Sequence, residues 1–287
     1  MNFMNSVLVK IYHRIPVKLR KKIGQAKWLK GFRRVLLYND SGFKTATVKI
    51  NRKYGDYDVD FKFVASIKTS SKAKYVGIEN TVLRNSFQLV KTYFPNRIDL
   101  KVLDIGANFG YLGSVWANSV ARNGNVYAFE PNKNLYRCIE KTITLNADFK
   151  SNFKVYNNAV GNFNKTITLN ASAFSSNTNK MTSSIETYNV EMVRIDDVVA
   201  KHRIHQINLI KIDVDGIELD ILKGASNVIR DNKPIVIVET NSDKKIIDFF
   251  KNLDYIIYDM KLDHFDDSNV LPLNIFCVPK TLTKDVV

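Results

Sequence analysis

The stretch that decides the fold is KVLDIGANFGYLG at residues 101–113, followed by VYAFEPN at residues 126–132. In each segment an apolar run ends in an acid, Asp104 in the first and Glu130 in the second. A glycine-rich turn follows the first run, and the length of one βα unit separates the two acids. A strand, a glycine turn, a helix and a second strand that ends in an acid predict a nucleotide-binding site.

The turn itself distinguishes between two classes of nucleotide. The dinucleotide fingerprint has glycine at the position where the pyrophosphate meets the backbone, and here that position holds Asn108. The carboxylate of Asp104 would repel a pyrophosphate, whereas it suits the amino group and sulfonium of S-adenosylmethionine. The carboxylate of Glu130 can accept hydrogen bonds from both ribose hydroxyls. We therefore expect S-adenosylmethionine rather than a nicotinamide cofactor; the alternative is a packing turn without a ligand.

Five segments in a fixed order carry a resemblance to a known family: DIGANFG, AFEPN, NNAVGN at 157–162, VRIDDVV at 193–199 and IKIDVDGIELDILKGA at 210–225. Together they resemble the FkbM-type family of S-adenosylmethionine-dependent methyltransferases, over about residues 78–280. The last segment departs from the usual family pattern, since Asp215 replaces a glutamate. The resemblance implies O-methylation of sugars, polyketides or other hydroxylated small molecules.

The resemblance also implies roles for individual residues. Asp104 and the backbone of residues 106–110 would hold the methionine part, Glu130 the ribose, and residues 158–159 the adenine. The expected cofactor-binding residues are Asp104, Gly106, Ala107, Asn108, Gly110, Glu130, Pro131, Asn158 and Ala159.

An acidic group is expected near the methyl acceptor, because Asp213 and Glu239 end two further apolar runs, and ligands bind at the carboxyl ends of parallel strands. Three roles for the group remain open. Asp213 or Glu239, with Asp215 beside them, could be the general base for a hydroxyl. The carboxylates could instead bind a divalent cation such as Mg²⁺, a role that is not favoured. They could also be structural, with Asp215 in a turn, Glu218 in a first helical turn and Lys211 paired with Glu239.

The pattern of elements predicts a Rossmann-like, doubly wound, mostly parallel α/β sheet whose last strand is antiparallel. A helical extension at residues 1–40 and a β-hairpin cap at residues 41–77 precede the methyltransferase domain at residues 78–287. The predicted strands are 45–51, 57–63, 101–105, 126–130, 153–156, 209–213, 235–240, 255–260 and 274–279. The predicted helices are two short ones within 1–37, broken at Pro16, and those at 79–94, 111 onward, 132–146, 217–230 and 243–252. Loops are expected at 68–76 and in a Ser-, Thr- and Asn-rich insertion at 165–193 that includes SAFSSNTNKMTSS.

Composition excludes several classes of protein. Among 287 residues, 45% are hydrophobic, but no apolar run approaches a membrane span, and no secretory segment is expected at the N-terminus. The two cysteines form no C-x-x-C pair, which argues against a zinc site and favours a reducing, cytoplasmic location. A Pro-Pro-aromatic motif is missing after the fourth core strand, which counts against methylation of nucleic-acid amino groups.

Positive charge is concentrated at the N-terminus. The net charge is +15, and residues 1–39 hold ten of the Lys and Arg residues and no acid, so the rest of the chain carries only +5. An apolar stripe accompanies these cations: Leu19, Ile23, Ala26, Leu29, Phe32 and Leu36, with Trp28 beside it. Such a segment could lie on the anionic inner face of a membrane, which would suit a lipid-linked acceptor. Alternatively, the stripe packs on the catalytic domain.

Three functions follow from these patterns. The first is an S-adenosylmethionine-dependent O-methyltransferase whose partner is a small-molecule or glycan acceptor. The second, supported only by net charge, is an RNA methyltransferase; nucleic acid is not favoured as a partner. The third is a catalytically silent binding module that keeps the fold.

Overall fold

The computed structural model describes residues 3–26, 28, 31, 36–39, 42–171 and 186–283. At the N-terminus, two helices, α1 (Phe3–Arg14) and α2 (Val17–Gln25), flank Pro16 as predicted. α2 is shorter than the predicted segment: Ala26 has an extended backbone, and Leu29 and Phe32 of the predicted stripe lie outside the described residues. Glycine destabilises a helix because of its conformational freedom, and Gly24 lies in the last turn of α2.

A β-hairpin follows the helices, as the alternation predicts. After a short pair, β1 (Tyr38–Asn39) and β2 (Gly42–Phe43), the strands β3 (Thr45–Tyr54) and β4 (Tyr57–Ser66) pair antiparallel along their whole length.

The loop predicted at 68–76 is wrong, because the chain forms helix α3 (Ile67–Tyr75) there. Ser66 caps this helix by accepting a hydrogen bond from the Thr69 amide. The hydroxyl of the buried Ser70 lies within hydrogen-bonding distance of the carbonyl oxygens of both Ala46 and Ala65. The polar composition that suggested a loop therefore serves to fasten a helix to the hairpin.

The part of the chain from residue 80 onward alternates strands and helices around one sheet. Its helices are α4 (Asn80–Tyr93), α5 (Tyr111–Ala117), α6 (Lys133–Leu145), α7 (Phe149–Asn152), α8 (Ile195–Lys201), α9 (Glu218–Gly224), α10 (Ser226–Asn232), α11 (Lys245–Lys251) and α12 (Lys280–Thr283). Its strands are β5 (Lys101–Ile105), β6 (Asn125–Phe129), β7 (Phe153–Tyr156), β8 (Ala159–Val160), β9 (Lys165–Ala171), β10 (Glu186–Val193), β11 (Ile207–Ile212), β12 (Ile235–Glu239), β13 (Tyr255–Tyr258) and β14 (Asn274–Pro279).

The central sheet has seven strands in the order β13-β14-β12-β11-β5-β6-β7. Neighbours from β7 to β12 pair parallel, and β14 pairs antiparallel with both β12 and β13. The predicted Rossmann-like, doubly wound sheet with an antiparallel last strand is confirmed.

Two predictions about connecting segments need correction. The insertion begins and ends in strands, since β9 pairs antiparallel with β10 and β10 pairs parallel with β8. SAFSSNTNKMTSS itself lies outside the described residues. The helix predicted at 217–230 is two helices, α9 and α10, which meet at Ala225. There Gly224 approaches the backbone of Gly161 so closely that an added Cβ would lie 2.1 Å from its carbonyl oxygen.

Apolar side chains cover both faces of the central sheet. One cluster joins α1, the hairpin and helices α3–α6 to one face, and a second joins helices α8–α11 to the other. The hairpin is also held by side chains of the catalytic part: Asn118, Thr142 and Asn146 accept hydrogen bonds from the backbone of β4. Among the residues that the structure describes, no helix has the length and apolar character needed to cross a membrane.

Candidate active site

The candidate site lies where the strand order reverses, at the carboxyl ends of β5, β6 and β11. β5 pairs with β6 on one side and with β11 on the other, and the connections run in opposite directions from it. The amides of Gly106 and Ala107 donate to the Phe129 carbonyl, both at 3.1 Å, and the Asp213 amide donates to the Ile105 carbonyl at 3.2 Å. These bonds tie the three strand ends together at the crevice where open α/β sheets bind ligands.

Two glycines allow these segments to approach. Gly106 has φ +76°, and a Cβ added to it would lie 2.0 Å from the Asp213 carbonyl oxygen. A Cβ on Gly113 would lie 3.0 Å from Oδ2 of Asp104 and 2.9 Å from Phe153. Both glycines are therefore required by contacts within the protein, whether or not a ligand is bound.

Asp104 is buried beneath the glycine turn, with 1% of its surface exposed. Its Oδ2 accepts a hydrogen bond of 3.1 Å from the Gly113 amide, whereas its buried Oδ1 has no hydrogen-bond partner among the residues that the structure describes. Burial raises the pKa of Asp104 to about 6, and the positive charge of Lys211 opposes that rise. An acceptor left without a donor in a buried position is costly unless a ligand or water satisfies it.

Lys211, on β11, places a buried positive charge between two carboxylates. Its Nζ lies 3.3 Å from Oδ2 of Asp213 and 3.9 Å from Oδ1 of Asp104, and it donates to the Gly106 carbonyl at 3.3 Å. Burial opposes its charge, but the neighbouring carboxylates, Asp213 first, outweigh that effect and raise the pKa of Lys211. The expected ion pair with Glu239 is replaced by this one, because Asp213 and Lys211 share one strand end.

Glu130 follows β6 and organises the turn around it. Its Oε2 accepts a hydrogen bond of 2.7 Å from the Asn108 amide, and its Oε1 accepts one of 2.9 Å from the Asn132 amide. Burial raises the pKa of Glu130 to about 7, although both amide hydrogen bonds act in the opposite direction. One carboxylate thus links the glycine turn, through Asn108 at φ +55°, to the loop after β6.

Two residues that the sequence analysis missed hold the loop after β6. The side-chain amide of Asn157 donates to the carbonyls of Glu130 and Pro131, at 2.9 and 3.0 Å. From β10, the hydroxyl of Tyr188 donates to the Pro131 carbonyl at 2.9 Å and accepts from the Lys133 amide at 3.1 Å. Asn157 was visible next to the predicted Asn158, but no sequence pattern indicates that the inserted strand returns to this loop.

The two residues predicted to contact adenine, Asn158 and Ala159, lie next to the loop after β6. Ala159 is buried in β8, and the side chain of Asn158 donates to the Glu191 carbonyl of β10 at 3.1 Å. The structure therefore places both residues at the junction between the sheet and the inserted strands. Their contact with adenine stays a prediction.

Asp213 and Glu239 end neighbouring strands and share a hydrogen bond. Burial would raise the pKa of Asp213, but Lys211 and the bond to Glu239 outweigh it and lower that pKa. Burial, and then the hydrogen bond and charge of Asp213, raise the pKa of Glu239 to about 7. The pair therefore holds one proton near neutral pH, and the two carboxyls titrate as one system.

Asp215 and Glu218 belong to the turn that follows β11. Asp215 is exposed, at φ +55°, and Gly216 follows at φ +104°, so the predicted turn is present. Glu218 is buried, and its carboxylate accepts hydrogen bonds from the amides of Val214 and Gly216 and from the side chain of Asn241. Glu218 thus positions the turn, and the negative charge of Asp215 contributes to raising the pKa of Glu239.

A further acid, Glu79, was missed by the sequence analysis. It precedes α4, at φ +48°, and its carboxylate is close enough to raise the pKa of both Asp104 and Lys211. The predicted helix over 79–94 included Glu79, and an acid at a helix start is expected for the helix dipole alone. Within the described residues there is no group of three or more His, Cys, Asp or Glu side chains arranged to hold a metal ion.

Comparison with known proteins identifies the family. The family model described as "Methyltransferase FkbM domain" matches residues 104–257, more than half of the chain. The chain belongs to the FkbM methyltransferase family. The matched region spans Asp104, Glu130, Asp213 and Glu239, and of the site's acids only Glu79 precedes it. The resemblance read from the five sequence segments is therefore confirmed.

Several solved structures are similar to this FkbM-family chain. The FkbM methyltransferase of Methylobacillus flagellatus matches with 17% identity and a TM-score of 0.46, covering 74% of this chain and 54% of that protein. This chain therefore spans about half the length of that protein. A precorrin-6y C5,15-methyltransferase of Geobacter metallireducens matches with 10% identity and a TM-score of 0.38, over 68% and 86% of the two chains. Fibrillarin of Aeropyrum pernix, solved with S-adenosylmethionine bound, matches with 13% identity and a TM-score of 0.38, over 68% and 74%. No curated protein matches the sequence significantly.

Proposed function

We propose that this FkbM-family methyltransferase binds S-adenosylmethionine and transfers its methyl group to a hydroxyl of a sugar, glycoconjugate or other small molecule. The observation that carries the proposal is the pair of carboxyls, Asp213 and Glu239, at the adjacent ends of β11 and β12 beside the glycine turn. A carboxyl pair that titrates near neutral pH is suited to take a proton from a hydroxyl as that oxygen becomes a nucleophile.

The residues at the ends of β5 and β6 fit the donor. The buried Oδ1 of Asp104 lacks a hydrogen-bond donor, which the amino group of S-adenosylmethionine would supply directly or through water. The negative charges of Asp104, Glu79 and Asp213 exceed the single positive charge of Lys211, and this excess favours a cationic ligand. Glu130 keeps lone pairs beyond its two amide bonds for the ribose hydroxyls.

When bound, S-adenosylmethionine supplies an electrophilic methyl group on a positively charged sulfur. The chain's own residues then have three tasks. The glycine turn and Glu130 fix the position of the donor, and alignment of donor and acceptor is a large part of catalysis in an in-line displacement. The Asp213–Glu239 pair accepts the hydroxyl proton as the O–C bond forms and the C–S bond breaks. Lys211 holds Asp213 in its ionised form.

The test combines mass spectrometry with substitutions. Glycan and metabolite extracts are incubated with S-adenosylmethionine and either the wild-type enzyme or the Asp213→Asn variant. The proposal expects a species that gains the mass of one CH₂ with the wild type only, with the added group on an oxygen. If the methyl group is found on nitrogen or carbon, or on RNA, the proposed reaction is wrong. If chelation abolishes activity and Mg²⁺ restores it, the acids bind a metal instead.

The third candidate of the sequence analysis is a binding module without catalysis, which the presence of the fold alone would also allow. Titration with S-adenosylmethionine and its demethylated product distinguishes the two. A catalyst releases its product, so it should bind both ligands and turn over; a silent module binds without turnover on any acceptor extract.

A further inference from the structure

We infer that the N-terminal helices form a docking surface for an anionic lipid bilayer. We call this surface the basic face and define it as the exposed side chains of α1, α2, Trp28 and the last turn of α3. The basic face combines positive charge with exposed apolar groups. Its binding to a bilayer does not depend on which acceptor the enzyme methylates.

The orientation of α1 is fixed by its buried side. Val9 and Tyr12 are buried against the hairpin and α3, where Tyr12 is 7% exposed and Val9 1%. The opposite side of α1 carries Val7, Lys10, Ile11 and Arg14, all exposed. These four positions have the spacing i, i+3, i+4 and i+7, so they line one helix face.

α2 and α3 extend the same kind of surface. α2 is fastened to the end of α1 because Nε of Arg20 donates to the Ile15 carbonyl at 2.7 Å. α3 is joined to α1 by the rings of His13 and Tyr75, which stack with centroids 3.8 Å apart. Exposed apolar and basic side chains alternate on these segments: Val17, Lys18, Leu19 and Lys22 on α2, and Lys72, Lys74, Tyr75 and Val76 at the end of α3.

Exposed apolar groups are concentrated on the basic face. Of the thirteen large hydrophobic side chains that are exposed in the described part of the chain, seven belong to it: Val7, Ile11, Val17, Leu19, Trp28, Tyr75 and Val76. Trp28 is 84% exposed, which leaves nearly its whole indole in water. Tryptophan is the side chain most suited to the boundary between lipid headgroups and acyl chains, because its ring is apolar and its N–H is polar.

The charge and the exposed apolar groups together indicate which partner binds the basic face. The described part of the face carries the exposed cations Lys10, Arg14, Lys18, Lys22, Lys72 and Lys74, and the sequence of residues 1–39 contains no acid, so the face attracts an anionic surface. Phosphates of RNA would satisfy the cations, but they leave aliphatic side chains such as Val7, Ile11 and Leu19 in water. A bilayer satisfies both, since anionic headgroups meet the lysines while the apolar side chains enter the interface. The combination therefore favours a lipid bilayer over nucleic acid.

The first test is co-sedimentation of the full-length protein with vesicles. The protein should bind mixed phosphatidylcholine–phosphatidylserine vesicles at low salt, bind pure phosphatidylcholine vesicles weakly, and dissociate as salt is raised. A variant that combines Lys10→Gln, Arg14→Gln, Lys18→Gln and Lys22→Gln should lose at least about tenfold in partition. The matched control replaces four exposed lysines elsewhere by Gln: Lys150, Lys201, Lys233 and Lys245. Equal losses in the two variants would mean that binding follows net charge alone and would overturn the proposal.

The second test uses tryptophan fluorescence. The chain has two tryptophans, and Trp116 is fully buried, so a change of emission on adding vesicles reports Trp28. The proposal expects a blue shift with anionic vesicles, and Trp28→Ala should weaken vesicle binding while Phe163→Ala, at a residue 64% exposed on the catalytic part, should not.

Three further results would overturn the proposal: no vesicle binding at low salt, binding without an emission shift, or binding of a single-stranded RNA oligonucleotide in preference to vesicles. Donor binding is measured in parallel with the same variants. Because none of the substituted residues of the basic face belongs to the candidate site, these variants should bind S-adenosylmethionine as the wild type does. Loss of vesicle binding is thereby distinguished from failure of the proposed reaction.

Discussion

At the residue scale, the site depends on carboxyls that the protein keeps partly protonated. Asp104 and Glu130 are almost fully buried, and burial raises the pKa of each, to about 6 and about 7. Lys211 is the buried cation that faces Asp104 and Asp213. The negative charge of the site's carboxyls is therefore only partly neutralised by Lys211. A cationic donor would interact favourably with the charge that remains.

The first prediction concerns Asp213. Asp213→Asn should lower the methylation rate by about 100-fold or more, because a general base acts in the transition state, and it should weaken donor binding by a smaller factor, because one negative charge near the cationic donor is lost. Rates and S-adenosylmethionine affinities are measured for this variant and for Asp231→Asn, an exposed acid on α10 that should behave as the wild type. Full activity of Asp213→Asn would show that this residue is structural.

The second prediction concerns pH and rate. The pKa of Glu239 is raised to about 7, so the rate should rise with pH through about 7 as the pair loses its shared proton. Glu239→Gln cannot share that proton, so its profile should lose the inflection near 7. Profiles of kcat/KM between pH 5 and 9 check this. An inflection unchanged in Glu239→Gln would assign it to another group.

The third prediction concerns pH and stability. The folded-state pKa of Glu130 is raised from 4.5 to about 7, so its stabilising contribution is fully present below about pH 4.5 and is lost as pH rises through 7. The free energy of unfolding should therefore fall between pH 5 and pH 8 by about 2–3 kcal/mol more in the wild type than in Glu130→Gln. Urea titrations at both pH values measure this, with the exposed Glu140→Gln as the control. Parallel pH dependence in all three proteins would contradict the buried titration of Glu130.

At the element scale, the site is built by loops that the ends of three strands hold together. Its supporting contacts are long-range: Tyr188 of β10 holds Pro131, and Glu218 of α9 holds the turn before it. The sequence alone identified the acids at the strand ends, because each acid directly follows or ends an apolar run in the sequence. It missed Tyr188, and it missed helix α3, because the partners that satisfy Ser70 lie on separate strands of the hairpin.

The fourth prediction tests the close approach of two loops. Gly106→Ala should destabilise the protein by about 3 kcal/mol or more, since the new Cβ would meet the Asp213 carbonyl and the backbone has positive φ. Gly55→Ala is the matched control: its φ is +58°, but nothing lies within 4 Å of the added Cβ, so only backbone strain of about 1 kcal/mol is expected. Urea unfolding compares the two. Equal losses would mean that the contact with Asp213 does not matter.

At the scale of the whole molecule, the order of elements was predictable and the packing of the N-terminal part was not. Alternating β and α segments imply a mostly parallel sheet, and the antiparallel last strand was also predicted, whereas the order of the seven strands came from the structure. That α1 would bury Val9 and Tyr12 yet expose Val7 and Ile11 depends on the hairpin and α3, which no periodicity within α1 reveals. The charge asymmetry was readable from composition, but its alignment with exposed apolar groups required the fold.

The central claim is that the ends of β5 and β6 bind S-adenosylmethionine, and calorimetric titration tests it most directly. The wild type should bind S-adenosylmethionine and not NADH. Asp104→Ala and Glu130→Ala should each weaken that binding by about 1–3 kcal/mol, the cost of leaving polar partners unpaired, while the exposed Glu140→Ala should not change it. Binding of NADH in place of S-adenosylmethionine, or undiminished binding by Glu130→Ala, would contradict the account.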